Sequence, residues 1–148
     1  MIVNYWFFAL FVFFWLLGPG TQVIQLISPK LHHRLGLTEK AALEPKNRWF
    51  QLYERGTAYA DLTHLTAGIA FMVLALSGSK HGIVFGIYTC SAYVFVMTQF
   101  LAQLALLSNE NLHPASKEQF VAYGAYAVSF IIFGIFGITY LWRIAEAL

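Results

Sequence analysis

The chain has 148 residues, of which 59% are hydrophobic, 18% aromatic and only 11% charged, with a net charge of +2. Soluble domains carry about 25% charged residues, so a mean hydropathy of +0.62 on so short a chain points to one membrane domain with no room for a second. The small net charge and the lack of a basic run exclude nucleic acid as a partner, and the lone Cys90 excludes an internal disulfide.

The first apolar segment is Tyr5 to Ser28. No Lys or Arg precedes it and no small-residue cleavage site follows it, so it is expected to be retained rather than removed as a signal. Gly18-Pro19-Gly20 lies inside it. Proline removes a backbone bond and crowds the preceding turn, so a bend or break is expected there.

A polar connection from Lys30 to Phe50 comes next. Thr38 to Glu44 reads as a short helix stopped by Pro45. Leu31, Leu35, Leu37 and Trp49 alternate with His32, His33, Arg34 and Arg48, a mixture suited to the headgroup surface. His32 and His33 are neighbours, so their side chains should diverge.

Three more apolar segments follow, Thr57 to Ser77, Gly82 to Leu107 and Phe120 to Trp142. Each segment reaches the ~20 residues a spanning helix needs, and lipid forces such segments to satisfy their backbone internally. Long runs without regular turn signals argue against a β-barrel. The expected fold is therefore an all-α membrane protein, 1–148, a four-transmembrane-helix bundle with a short amphipathic cytoplasmic segment between helices one and two. Helix limits of about 5–28, 54–77, 82–107 and 118–145 are expected. The short Ser77 to Gly82 link makes helices two and three antiparallel neighbours, and Ser108 to Glu118 forms a polar loop holding Pro114.

Lys30, Arg34, Lys40, Lys46, Arg48, Arg55 and Lys117 fall on one side, against Lys80 and Arg143 on the other. The positive-inside rule puts both large loops in the cytoplasm and both termini outside, with a bacterial inner membrane as the expected location. Cysteine scanning tests this: a cysteine at position 40 should resist labelling from outside intact cells, and one at position 80 should accept it. Tyr5, Trp6, Trp49, Tyr53, Tyr140 and Trp142 near segment ends suit an aromatic belt.

Asp61 and His64 are ionisable groups inside an otherwise apolar segment. Such groups are costly in hydrocarbon and usually face a protein interior or a cavity, often with a functional role. Three residues apart, they lie about 60° from each other on one helix face. Glu54, Thr57 and Gly68 extend that stripe. With alternating helix direction, Gln22 and Gln25, Gln99 and Gln103, and Tyr123, Tyr126 and Ser129 all arrive at the same cytoplasmic depth, while the opposite half is almost purely apolar. The expected site is thus Asp61, His64, Glu54, Gln99, Gln103, Gln22, Gln25, Tyr123 and Tyr126, a pocket for a lipid, quinone, isoprenoid or other small amphipathic ligand, with proton exchange at Asp61 and His64. Polar side chains also serve as glue between membrane helices, contributing on average about 0.6 kcal/mol, and the glutamines fit that role too. Asp61 should meet a polar group of another helix, with His64 and the glutamines favoured over Arg55.

No metal is expected, because only one Asp-x-x-His pair occurs where bundle sites use two such motifs. No cofactor is indicated, and no serine or threonine comes with a base and an orienting group for nucleophilic catalysis. Cys90 reads as a small hydrophobe in an apolar helix. Gly134 and Gly137, with Gly124, lie on or near the Tyr123 face of helix four and read as close-packing positions.

Ala58-Tyr59-Ala60-Asp61-Leu62-Thr63-His64 resembles the Ala-x-x-Asn-x-x-Glu stretch on helix two of the MAPEG family of glutathione- and lipid-handling membrane enzymes. Length, four helices, external termini and a basic first loop are similar as well. The resemblance implies a glutathione- or lipid-dependent transferase. Asp61 and His64 replace both polar signature residues, helix three has no arginine, and the link between helices two and three is shorter. The topology is also similar to that of small bacterial four-helix families such as DoxX. The chain is assigned to neither. A non-catalytic accessory or scaffold subunit, docked on a larger membrane complex or on its own copies, is the other function class open to this sequence.

Overall fold

A computed structural model describes residues 2–35, 37, 44–109 and 117–148, without the side chains of 50, 54 and 117. The described elements are helical: α1 (Tyr5–Trp15), a π turn (Leu16–Gly20), α2 (Thr21–Ile27), α3 (Pro29–Arg34), a 3-10 turn (Pro45–Asn47), α4 (Arg48–Ala60), α5 (Leu62–Leu76), α6 (Gly82–Asn109) and α7 (Lys117–Glu146). Four helical runs are long and apolar enough to cross a membrane: Tyr5–Ile27, Gln51–Leu76, Gly82–Asn109 and Glu118–Glu146. The helix expected over Thr38 to Glu44 falls almost wholly outside the described residues.

Pro19 does interrupt the first helix, through one widened turn rather than a loop. A proline withholds its N–H from the carbonyl four residues back and crowds it, and a π turn relieves both. The loosened carbonyls find hydroxyl donors. Thr21 Oγ1 donates to the Gly18 carbonyl at 2.7 Å and to that of Leu17 at 3.1 Å, and Tyr126 Oη on α7 also donates to Leu17, at 3.1 Å. The phenol thereby ties the π turn to α7. Tyr126→Phe should cost about 1 kcal/mol of stability, the usual net worth of one hydrogen bond, and a larger loss measured by thermal unfolding would mean the turn itself had rearranged.

The second helical run starts earlier than the apolar pattern indicates, because α4, an amphipathic helix that begins at Arg48, is joined almost directly to α5. Asp61 stands at the junction, outside both helices. Thr63 Oγ1 donates to the Ala60 carbonyl at 3.0 Å and covers an acceptor at this irregularity. Between α5 and α6 the chain turns through Gly78 at φ +77. Gly78 N–H donates to Ala75 at 3.2 Å and Ser79 N–H to Leu74 at 2.9 Å, the Schellman pattern that only a left-handed residue closes without strain.

α6 is the central helix and packs most extensively on α7, then on α5. The core of the bundle is aromatic: Phe7, Phe11, Phe71 and Phe130 are fully buried, with Phe133, Tyr93 and Leu141 beside them. Phe14 stacks on Phe133 at 4.2 Å between ring centres, and Phe7 on Tyr140 at 4.4 Å. Rings stacked or tilted at these distances add to the area they bury. α1 is pinned to α5 by Trp15, whose indole N–H donates to the Leu65 carbonyl at 3.2 Å. Gly68 makes room for that indole: a Cβ there would lie 2.4 Å from Trp15 Cδ1.

Two of the three glycines on the last helix act as packing positions, though against α6 rather than a tyrosine face. A Cβ on Gly134 would sit 2.7 Å from the Cys90 carbonyl oxygen, and one on Gly137 2.5 Å from Cys90 Sγ. Gly124 differs, since a Cβ there would meet nothing within 4 Å.

Candidate functional site

The apolar core fills the half of the bundle that holds α1 and the α5–α6 turn. At the other end the helices part around a partly open cavity of about 460 Å³, within the size range of small-molecule sites. Its walls come from the π turn, α2, α3, α4, α6 and α7. Leu17, Met97, Phe100, Leu104 and Leu107 give it an apolar body.

Seven of the residues expected at the site line this one cavity: Gln22, Gln25, Asp61, Gln99, Gln103, Tyr123 and Tyr126. Their helices alternate in direction, which is why residues so far apart in sequence reach one depth. One of the expected residues, His64, does not join them. The side chain of Glu54 lies outside the described residues. His64 turns toward α6, where its ring centre is 5.7 Å from that of Tyr88 and its Nδ1 is buried without a hydrogen-bond partner. Three residues advance a helix by about 4.5 Å and rotate it back by about 60°, enough to carry His64 off the cavity wall into the α5–α6 interface. Asp61 and His64 therefore do not share this cavity wall.

The polar groups of the cavity are unevenly satisfied. Gln103 accepts a hydrogen bond from Tyr53 Oη, which ties α6 to α4. Tyr126 spends its proton on Leu17. By contrast, Gln25 is only 7% exposed and its amide makes no hydrogen bond among the described residues. Gln22 has its Oε1 buried and unpartnered. The half-buried Asp61 carboxylate has neither a hydrogen bond nor an ion pair from the described residues, and Arg55 is exposed elsewhere. The expected contact between Asp61 and a glutamine is thus a shared cavity wall, not a bond. Buried polar groups in proteins are nearly always paired, so the buried, unpartnered Gln22 Oε1 and the unpaired Asp61 carboxylate stand out on this one cavity wall.

The site expected from the sequence leaves out several wall residues, Tyr53, Thr57, His32 and Leu37 among them. Tyr53 and Thr57 lie two turns and one turn before Asp61, and that four-residue spacing was the available signal. His32 and Leu37 come from the segment after α2, and nothing in their spacing points inward. His32 is 6% exposed, and burial holds its pKa below the ordinary 6.5, so at neutral pH its imidazole is uncharged. No lysine or arginine lines the cavity among the described residues. Likewise, no three His, Cys, Asp or Glu side chains among them come close enough to hold a metal ion.

No family model, curated protein or solved structure matches this chain.

Proposed function

We propose that this protein is an integral membrane protein whose cytoplasm-facing end binds a small amphipathic or lipid-like ligand. One observation carries the reading: a cavity of about 460 Å³ with an apolar body, the unpaired Asp61 carboxylate and the buried, unpartnered Gln22 Oε1 on its wall. An apolar pocket with a few convergent polar groups is the form ligand sites take. The basic residues near this end, including Lys30, Arg34, Lys46 and Arg48, support a cytoplasmic orientation under the positive-inside rule. Any proton exchange falls to Asp61, since His64 faces elsewhere.

Native mass spectrometry of protein released from its own membrane, followed by lipid extraction, tests the reading. A retained amphipathic species, lost or weakened when Gln25→Leu removes a polar group from the cavity wall, is the expected result. Protein that never retains a ligand, together with an Asp61→Asn variant fully active in cells, would sink it. Recovery of larger proteins at fixed stoichiometry in the same experiment would favour an accessory subunit instead. A glutathione-dependent transferase is disfavoured by the wall chemistry. Glutathione carries two carboxylates, and the described wall offers no cation to receive them. No binding is expected from purified protein titrated with millimolar glutathione, and saturable binding would reinstate the transferase.

A further inference from the structure

The ligand reading above leaves the head group open, and the charge of the cavity narrows it. Asp61 is the sole carboxylate on the described wall, it has no cationic partner there, and no lysine or arginine is near enough to line it. His32, the remaining basic side chain on the wall, is uncharged at neutral pH. The other titratable wall groups are phenols, Tyr53, Tyr123 and Tyr126. Phosphate or carboxylate heads would meet an anion and find no lysine or arginine among the described residues of the wall. A plain alcohol could satisfy the glutamine amides but would leave the carboxylate uncompensated in a half-buried site.

Resting on the ligand reading, we propose that the occupant is an amphiphile with a protonated amine head, its ammonium paired with the Asp61 carboxylate and its chain against Met97, Leu104 and Leu107. Three features suit such a head. The ammonium supplies the missing positive charge. Its N–H groups are donors for the unpartnered carbonyl oxygen of Gln22, with the buried Gln25 on the same wall. The wall carries four aromatic rings, those of Tyr53, Phe100, Tyr123 and Tyr126, and aromatic faces attract cations.

The probes are octylammonium, octanol and octanoate, equal in chain length and different in head. Binding is measured calorimetrically at pH 7 on the protein in phosphatidylcholine nanodiscs, with empty nanodiscs subtracted. Octylammonium is expected to bind about tenfold or more tightly than octanol, as close charge pairs allow, and octanoate not at all. In Asp61→Asn the amine should fall to the affinity of the alcohol, while the alcohol itself is unchanged. Gln25→Leu should weaken amine and alcohol alike. Wild-type protein that binds octanol as well as octylammonium overturns the amine assignment and leaves the ligand site standing. A variant at Asp61 that keeps the amine preference overturns the pairing. If none of the three probes binds, the amine proposal and the ligand reading fall together. The head-group series on wild type decides the question even if a variant does not fold.

Discussion

Gly134→Ala is expected to destabilise the protein by about 1–3 kcal/mol, the cost of overpacking a closed interface, and Gly134→Leu to prevent assembly of the bundle. The added Cβ would meet the Cys90 carbonyl oxygen at 2.7 Å and Val94 Cγ2 at the same distance. A valine methyl can rotate away, but a carbonyl in the middle of α6 cannot move without the helix. α6 and α7 share the largest contact in the fold, so the strain spreads along it. Gly137→Ala makes an instructive contrast. Its Cβ would strike Cys90 Sγ at 2.5 Å and Cys90 Cβ at only 3.4 Å, so deleting the sulfur should relieve it. In a double-mutant cycle read by thermal unfolding in detergent, Cys90→Ala should rescue Gly137→Ala and not Gly134→Ala. Rescue of both would show that the backbone contact at Gly134 is slack. The test also addresses Cys90, which is fully buried and, on this account, sized to its neighbours.

The same contrast shows what the sequence could and could not tell. Hydropathy finds the four helices because lipid leaves no other way to satisfy the backbone. Helix direction then places Gln22, Gln25, Asp61, Gln99, Gln103, Tyr123 and Tyr126 at one depth, and depth along a helix needs only a count of residues. What a count does not supply is azimuth. His64 leaves the Asp61 face at a junction between α4 and α5 that no glycine or proline announces. Gly124 looks like Gly134 in sequence and yet faces open space, because which side of α7 meets α6 is decided by the fit of Cys90 and Val94. Pro19 announces a disturbance, but not that Thr21 and Tyr126 would cover the carbonyls of the resulting π turn. Tyr53 has the composition of a belt residue and is drawn inward by its bond to Gln103.

Asp61→Asn should leave the fold as stable as the parent or raise its stability by about 1 kcal/mol, while abolishing the preference for an amine over an alcohol. The sign follows from what Asp61 lacks. A carboxylate that bridges helices loses its bonds when altered, and such a loss costs about 1–3 kcal/mol. Asp61 bridges nothing among the described residues: it is half-buried, unpaired, and set at the one irregular position between α4 and α5. An unpartnered carboxylate away from bulk water is a burden on folding, and asparagine keeps its shape without the charge. Residues that lower stability while preparing a site for a ligand are a common form of the trade between stability and activity. The ligand should reverse the burden by mass action. At a hundred times its dissociation constant a ligand stabilises its protein by about 2.7 kcal/mol, so octylammonium should raise the unfolding midpoint of the parent clearly more than that of Asp61→Asn, which it binds no better than octanol. A variant that unfolds earlier than the parent, with or without amine, would make Asp61 a structural tie whose partner lies among residues outside those described, and would remove the main support for a charged ligand site.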